Sequence, residues 1–87
     1  MEIVLDFNNI NSKDQFHDYL KKEFTIFEYD RNLDALYDEL SSITYSLILK
    51  IKNINIIENK LGDYVKILKE VLNDLNNETP NINVYYE

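Results

Sequence analysis

Three short runs rich in β-forming residues stand far apart in this chain, and a pair of helix-like stretches separates each run from the next. The runs are Ile3-Val4-Leu5 with Phe7, then Leu47-Ile48-Leu49-Lys50-Ile51, and finally Ile82, Val84 and Tyr86. Strands joined through helices pair parallel, because a tight hairpin would be needed to set sequential neighbours antiparallel. The order β-α-α-β-α-α-β therefore implies an α/β fold, a three-stranded parallel sheet with helices packed on it and right-handed crossovers. The middle run is nearly continuously apolar, so it is expected to be the central strand, covered on both faces. With 87 residues the chain has room for one core, and a single domain over 1–87 is expected.

The helical stretches carry their own start and stop signals. Ser12 and Gln15 have the spacing of a capping box, and Phe16, Leu20, Phe24 and Phe27 recur at helical intervals, which predicts a first helix from about Lys13 to Thr25. Tyr29-Asp30-Arg31 is a short link, after which Asn32 caps a second helix whose apolar face is Leu33, Leu36, Tyr37 and Leu40 and which ends near Ser41-Ser42. Ile54, Ile56 and Ile57 are β-branched, yet their place between asparagines reads as a short third helix. Gly62 precedes the clearest stripe, Tyr64, Ile67, Leu68, Val71, Leu72 and Leu75, a fourth helix broken by Asn76-Asn77-Glu78-Thr79-Pro80.

Charge excludes more than it permits. Sixteen Asp and Glu oppose nine Lys and Arg, a formal net of −7, so a phosphate backbone would be repelled and nucleic-acid binding is not expected. A basic protein partner is favoured instead. The chain has no cysteine, hence no disulfide, thiol nucleophile or thiolate metal site. No apolar run approaches the length of a membrane span, and Met1 to Asp6 lacks the basic and apolar regions of a signal peptide, so a cytoplasmic, monomeric protein with no membrane contact is the expectation. The lone His17, beside Asp18 on the first helix, is expected at the surface rather than as a ligand, and neither metal nor cofactor is expected.

The acid is concentrated. Between Glu28 and Leu40 lie Glu28, Asp30, Asp34, Asp38 and Glu39 against Arg31 alone. Asp34 and Asp38 are four apart on the second helix, about 6 Å along its axis, where like charges cost roughly 0.2–0.5 kcal/mol. Glu70 and Asp74 repeat the spacing on the fourth helix, with Lys66 and Lys69 near enough to neutralise part of it. If the second and fourth helices pack on the same sheet, the two pairs adjoin. Tyr29 on the link, with Tyr37 and Tyr45, supplies the aromatic area that protein interfaces use.

The residues Leu20-Lys21-Lys22-Glu23-Phe24, Glu28-Tyr29 and Asn32-Leu33-Asp34-Ala35-Leu36-Tyr37-Asp38 closely resemble the first two helices of the barstar family, intracellular inhibitors of secreted barnase-type ribonucleases. The Asn-Leu-Asp-Ala-Leu-aromatic-Asp string is the specific part, and the element order agrees over the whole chain. The resemblance implies no enzymatic activity and a small, basic, secreted ribonuclease as partner. It further implies that Asp38 takes the place of a substrate phosphate in the nuclease cleft and that Asp34 pairs with a neighbouring cation. Tyr29 would pack near the catalytic imidazole, Asn32 and Leu33 would supply contacts at the helix start, Tyr37 would stand where Trp is commoner, Ser42 would lie on the rim, and Glu70 would add a peripheral ion pair. The link departs from the family, being one residue shorter and without its usual Gly, and Arg31 places a cation there.

Two other readings stay open at this level. One is an acidic interaction or immunity module for a basic partner that is not a nuclease. The other is an enzyme using the paired carboxylates, which the absence of a paired His or a Gly-rich phosphate loop disfavours.

Overall fold

A computed structural model describes residues 1–24 and 32–87. Seven elements follow one another: β1 (Glu2–Asp6), α1 (Lys13–Phe24), α2 (Leu33–Ser41), β2 (Leu47–Lys52), α3 (Ile54–Leu61), α4 (Asp63–Glu78) and β3 (Ile82–Tyr86). The expected order is observed, α3 included. The expected end of the first helix at Thr25, and the link with Tyr29 and Arg31, lie outside the described residues.

The three strands form one sheet in the order β1-β2-β3, both pairings parallel, with β2 central. Leu5, Leu47, Leu49, Ile51 and Ile82 point to the same side and are buried among Phe16, Leu20, Leu36, Leu40, Leu68, Leu72 and Leu75 from the helices. The opposite side corrects the expectation of a strand covered on both faces. Ile48 is 38% exposed, and Val4 and Tyr85, which flank Lys50 in the register, are 40% and 54% exposed. Among the described residues the helical layer covers one face. Lys50 was the sign of this: it falls in phase with Ile48 and Lys52, and its ammonium lies 2.6 Å from Glu2 on the neighbouring strand. That pairing holds the Glu2 carboxyl below and the Lys50 ammonium above their ordinary values.

Local signals account for the helix ends. Gln15 N–H donates to Ser12 Oγ at 3.2 Å, and Gln15 Oε1 accepts from Asn11 N–H at 2.8 Å, one residue earlier than in a strict capping box. The helix α4 runs three residues past Leu75, through Asn76-Asn77-Glu78 of the expected break. Thr79, held extended by the following Pro80, ends it with its N–H on the Leu75 carbonyl at 3.0 Å.

Gly62 alone separates α3 from α4, with φ 59° and ψ −128°. A side chain there would meet no atom within 4 Å, so the demand for glycine is purely conformational. Gly62→Ala is therefore expected to lower stability by about 1–3 kcal/mol in urea denaturation with little change in m-value. Loss of less than half a kcal/mol would show that another backbone path joins the two helices.

His17 corrects a second expectation, being only 4% exposed. It falls one step from Phe16 and three from Leu20, so the buried stripe of α1 is wide enough to include it. Its ring meets those of Phe16 and Tyr64 edge-on at 5.0 and 5.7 Å, and Nε2 is hydrogen-bonded to the Tyr64 hydroxyl.

Candidate docking face on the second and fourth helices

Asn32 starts α2. Its backbone is extended and its Oδ1 accepts from Ala35 N–H at 2.7 Å, satisfying one of the free donors of the first turn. Leu33, Leu36 and Leu40 face the core, Leu33 at 5% exposure, so the Leu33 side chain is committed to packing rather than offered at the surface. That same phase turns Asp34 and Asp38 to solvent, as the sequence pattern implied. Asp34 sits in the first turn, where the helix dipole favours an anion. Asp38 has no such benefit. Ser42, exposed at the C-cap, donates its Oγ–H to the Glu39 carbonyl at 2.9 Å.

The helices α2 and α4 pack against each other, and Tyr37 lies at their seam. Its half-buried ring rests on the core while its hydroxyl donates to Glu78 Oε2 at 2.7 Å. The phenol is pushed above its ordinary acidity range, first by that bond to a carboxylate, then by burial and by the charges of Glu78, Asp74 and Asp38. The helices that carry the two acidic stretches thus pack against each other, and Tyr37 to Glu78 is the side-chain bond that joins them at this seam. Glu70 is exposed one turn away on α4, about 6 Å along the axis from Asp74.

Lys69 does not serve as the neutralising cation expected of it. Its ammonium is 2.8 Å from Glu58 Oε1 on α3, so it is drawn towards α3. Glu78 was missed by sequence reasoning because Asn76-Asn77 looked like the end of the helix. The signal was present: Glu70, Asp74 and Glu78 continue one spacing of four.

The loop that follows α2 is tied down from the far side of the fold. Asn81 Nδ2 donates to the carbonyls of Ile43 and Tyr45, both at 2.7 Å, which holds the α2 to β2 connection beside the start of β3. A cavity of about 330 Å³ lined by Ile54, Lys69, Asn73 and Tyr86 takes no side chain from either acid pair. Among the described residues no group of three or more His, Cys, Asp or Glu is disposed to hold a metal ion. No described helix is long and apolar enough to cross a membrane. The arrangement offers carboxylates on a rigid helix pair rather than in a cleft, which suits docking into a positive concavity better than acid–base chemistry. Tyr29, expected beside them, lies outside the described residues.

No curated protein matches this chain. The family model described as "Barstar (barnase inhibitor)" matches residues 1–87, from the first strand through the last and across both helices that carry the acids. On that match, together with the parallel three-stranded sheet and its four helices, the chain belongs to the barstar family.

Proposed function

We propose that this chain is a cytoplasmic inhibitor that blocks the active site of a small, basic, secreted ribonuclease by setting a carboxylate where the RNA phosphate would lie. The family to which it belongs is one of barnase inhibitors, not of enzymes. The observation that supports the finer reading is the exposure of Asp34 and Asp38 on α2 and of Asp74 and Glu78 on α4, two helices packed together and joined by the bond from Tyr37 to Glu78. A ribonuclease must line its cleft with Arg, Lys and His to hold the scissile phosphate, and a carboxylate in fixed position accepts charge-assisted, bidentate bonds from the same groups.

In this reading Asp38 occupies the phosphate position and Asp34 pairs with a cation beside it. Tyr29 packs near the catalytic imidazole, and Asn32 and Leu33 supply contacts at the helix start. Tyr37 adds a large surface of low conformational cost, Ser42 borders the rim, and Glu70 forms an outer ion pair. The net charge of −7 repels RNA and attracts the nuclease, raising association towards roughly 10⁸–10⁹ M⁻¹s⁻¹ at low salt, a range for which the barnase–barstar pair is itself the standard example.

Titration into a panel of small basic ribonucleases, barnase first, with RNA cleavage as readout, tests the reading. Stoichiometric loss of activity for one member supports it. Full activity of every member at micromolar inhibitor favours instead a basic partner that is not a nuclease, which capture from the native host would identify.

A further inference from the structure

The helix α4 extends three residues beyond its last core contact, Leu75, and those residues add nothing to the apolar stripe. They are Asn76, Asn77 and Glu78. Asn76 has a structural use, its Oδ1 accepting from Val84 N–H at 2.8 Å on β3. Glu78 works against the helix on two counts. It stands at the C-terminus, where the dipole disfavours an anion, and four residues from Asp74, where like charges repel; the last turn of α4 holds no base to offset either. What Glu78 gains is the hydroxyl of Tyr37, a residue on another helix forty-one positions away.

The geometry points to Glu78 as a positioning residue of the docking face. By accepting the Tyr37 hydroxyl at 2.7 Å it locks the aromatic ring at the seam of α2 and α4, beside Asp38, so that ring and carboxylate meet the partner in a set orientation. A free phenol at this seam would sample several rotamers, and immobilising it at the moment of docking would cost affinity. Its own carboxylate also continues the line of Glu70 and Asp74 towards the partner's cations. The two roles are separable. The hydrogen bond acts on the lifetime of the complex, the charge on the rate of encounter.

This inference rests on the inhibitor reading above, and its test is built to distinguish the two. Association and dissociation rates are measured with the ribonuclease of the panel that the unaltered protein inhibits, for Glu78→Ala, Glu78→Gln and Tyr37→Phe, at low and at physiological salt. Glu78→Ala and Tyr37→Phe are expected to speed dissociation about tenfold, the effect of one hydrogen bond to a charged group. Glu78→Gln keeps a neutral acceptor oxygen and is expected to recover part of the slow dissociation, with a rate between those of Glu78→Ala and the unaltered protein. Association at low salt should slow about twofold in both Glu78 variants and stay unchanged in Tyr37→Phe. Thermal unfolding of each variant alone confirms that the fold is intact. Equal dissociation rates for Glu78→Ala and the unaltered protein overturn the positioning role while leaving the inhibitor reading standing, and so does dissociation of Glu78→Gln as fast as that of Glu78→Ala. Failure of the unaltered protein to bind any basic ribonuclease removes both.

Discussion

Asp38→Ala is expected to weaken binding to the target ribonuclease by about 2–5 kcal/mol, the range for truncating one partner of a buried interfacial charge pair, of which the barnase–barstar interface is the type case. The size of the loss comes from the nuclease side. Cations evolved to hold a phosphate would be left desolvated and unpaired under a covering protein. The inhibitor itself should not suffer, because Asp38 is exposed and its removal relieves a like-charge contact with Asp34 that costs roughly 0.2–0.5 kcal/mol. Binding by calorimetry and stability in urea, measured on the same variant, separate the two effects. A loss of stability matching the loss of affinity would mean that the carboxylate supports the fold rather than the complex. Asp34→Ala should lose less, since in the proposed complex it would pair with a single neighbouring cation rather than fill the phosphate position.

The second large effect concerns the sheet. Leu49→Ala is expected to cost about 2–5 kcal/mol, because Leu49 is fully buried at the centre of β2 and its removal leaves a cavity under the helices. In a domain this small that is a large share of a total stability of about 5–15 kcal/mol. Ile48→Ala, the adjacent residue on the open face, should change stability by no more than about 1 kcal/mol, the span of strand preferences. The contrast matters more than either value. Two neighbouring aliphatic residues in one apolar run differ because the described helices pack on the side that Leu49 faces, and equal costs in urea denaturation would show that something covers the other side as well.

That run shows where sequence patterning stops. Five residues with one lysine satisfy the template for a strand buried on both sides, and alternation becomes visible only when Lys50 is read as the phase marker that puts Ile48 and Lys52 beside it. The order of elements was legible because each helix is long enough to show its stripe and each cap is local: Ser12 with Gln15, Asn32 with Ala35, Gly62 between α3 and α4. Contacts between distant elements were not. The burial of His17 depends on Tyr64, which lies forty-seven residues away, and the seam of Tyr37 with Glu78 joins residues forty-one apart. The amides that tie loops together, Asn53 to Asp6 and Asn81 to Ile43 and Tyr45, belong to a chain rich in asparagine, where composition cannot tell a structural amide from a solvated one.

Within the docking face the legible part was the pair Asp34 and Asp38, because a helix whose core phase is known places its other residues without further information. The fourth helix is longer than its sequence suggests, since Asn76-Asn77 ahead of Pro80 resemble a stop. Helix propensity lost to the tertiary gain of Asn76 on β3 and Glu78 on Tyr37. Lys69 shows the converse: proximity in sequence to Glu70 suggested local neutralisation, and packing of α3 against α4 supplied Glu58 instead.

The central claim is that a carboxylate on α2 stands in for a substrate phosphate, and competition tests it most directly. The affinity of this protein for the ribonuclease it inhibits is measured across a series of concentrations of a 3′-mononucleotide that fills the enzyme's phosphate site. Occupation of the phosphate site by Asp38 predicts an apparent Kd that rises in proportion to nucleotide once the nucleotide exceeds its own Kd, with that proportionality lost in Asp38→Ala. An apparent Kd indifferent to saturating nucleotide, with both molecules bound together on the enzyme, would contradict it.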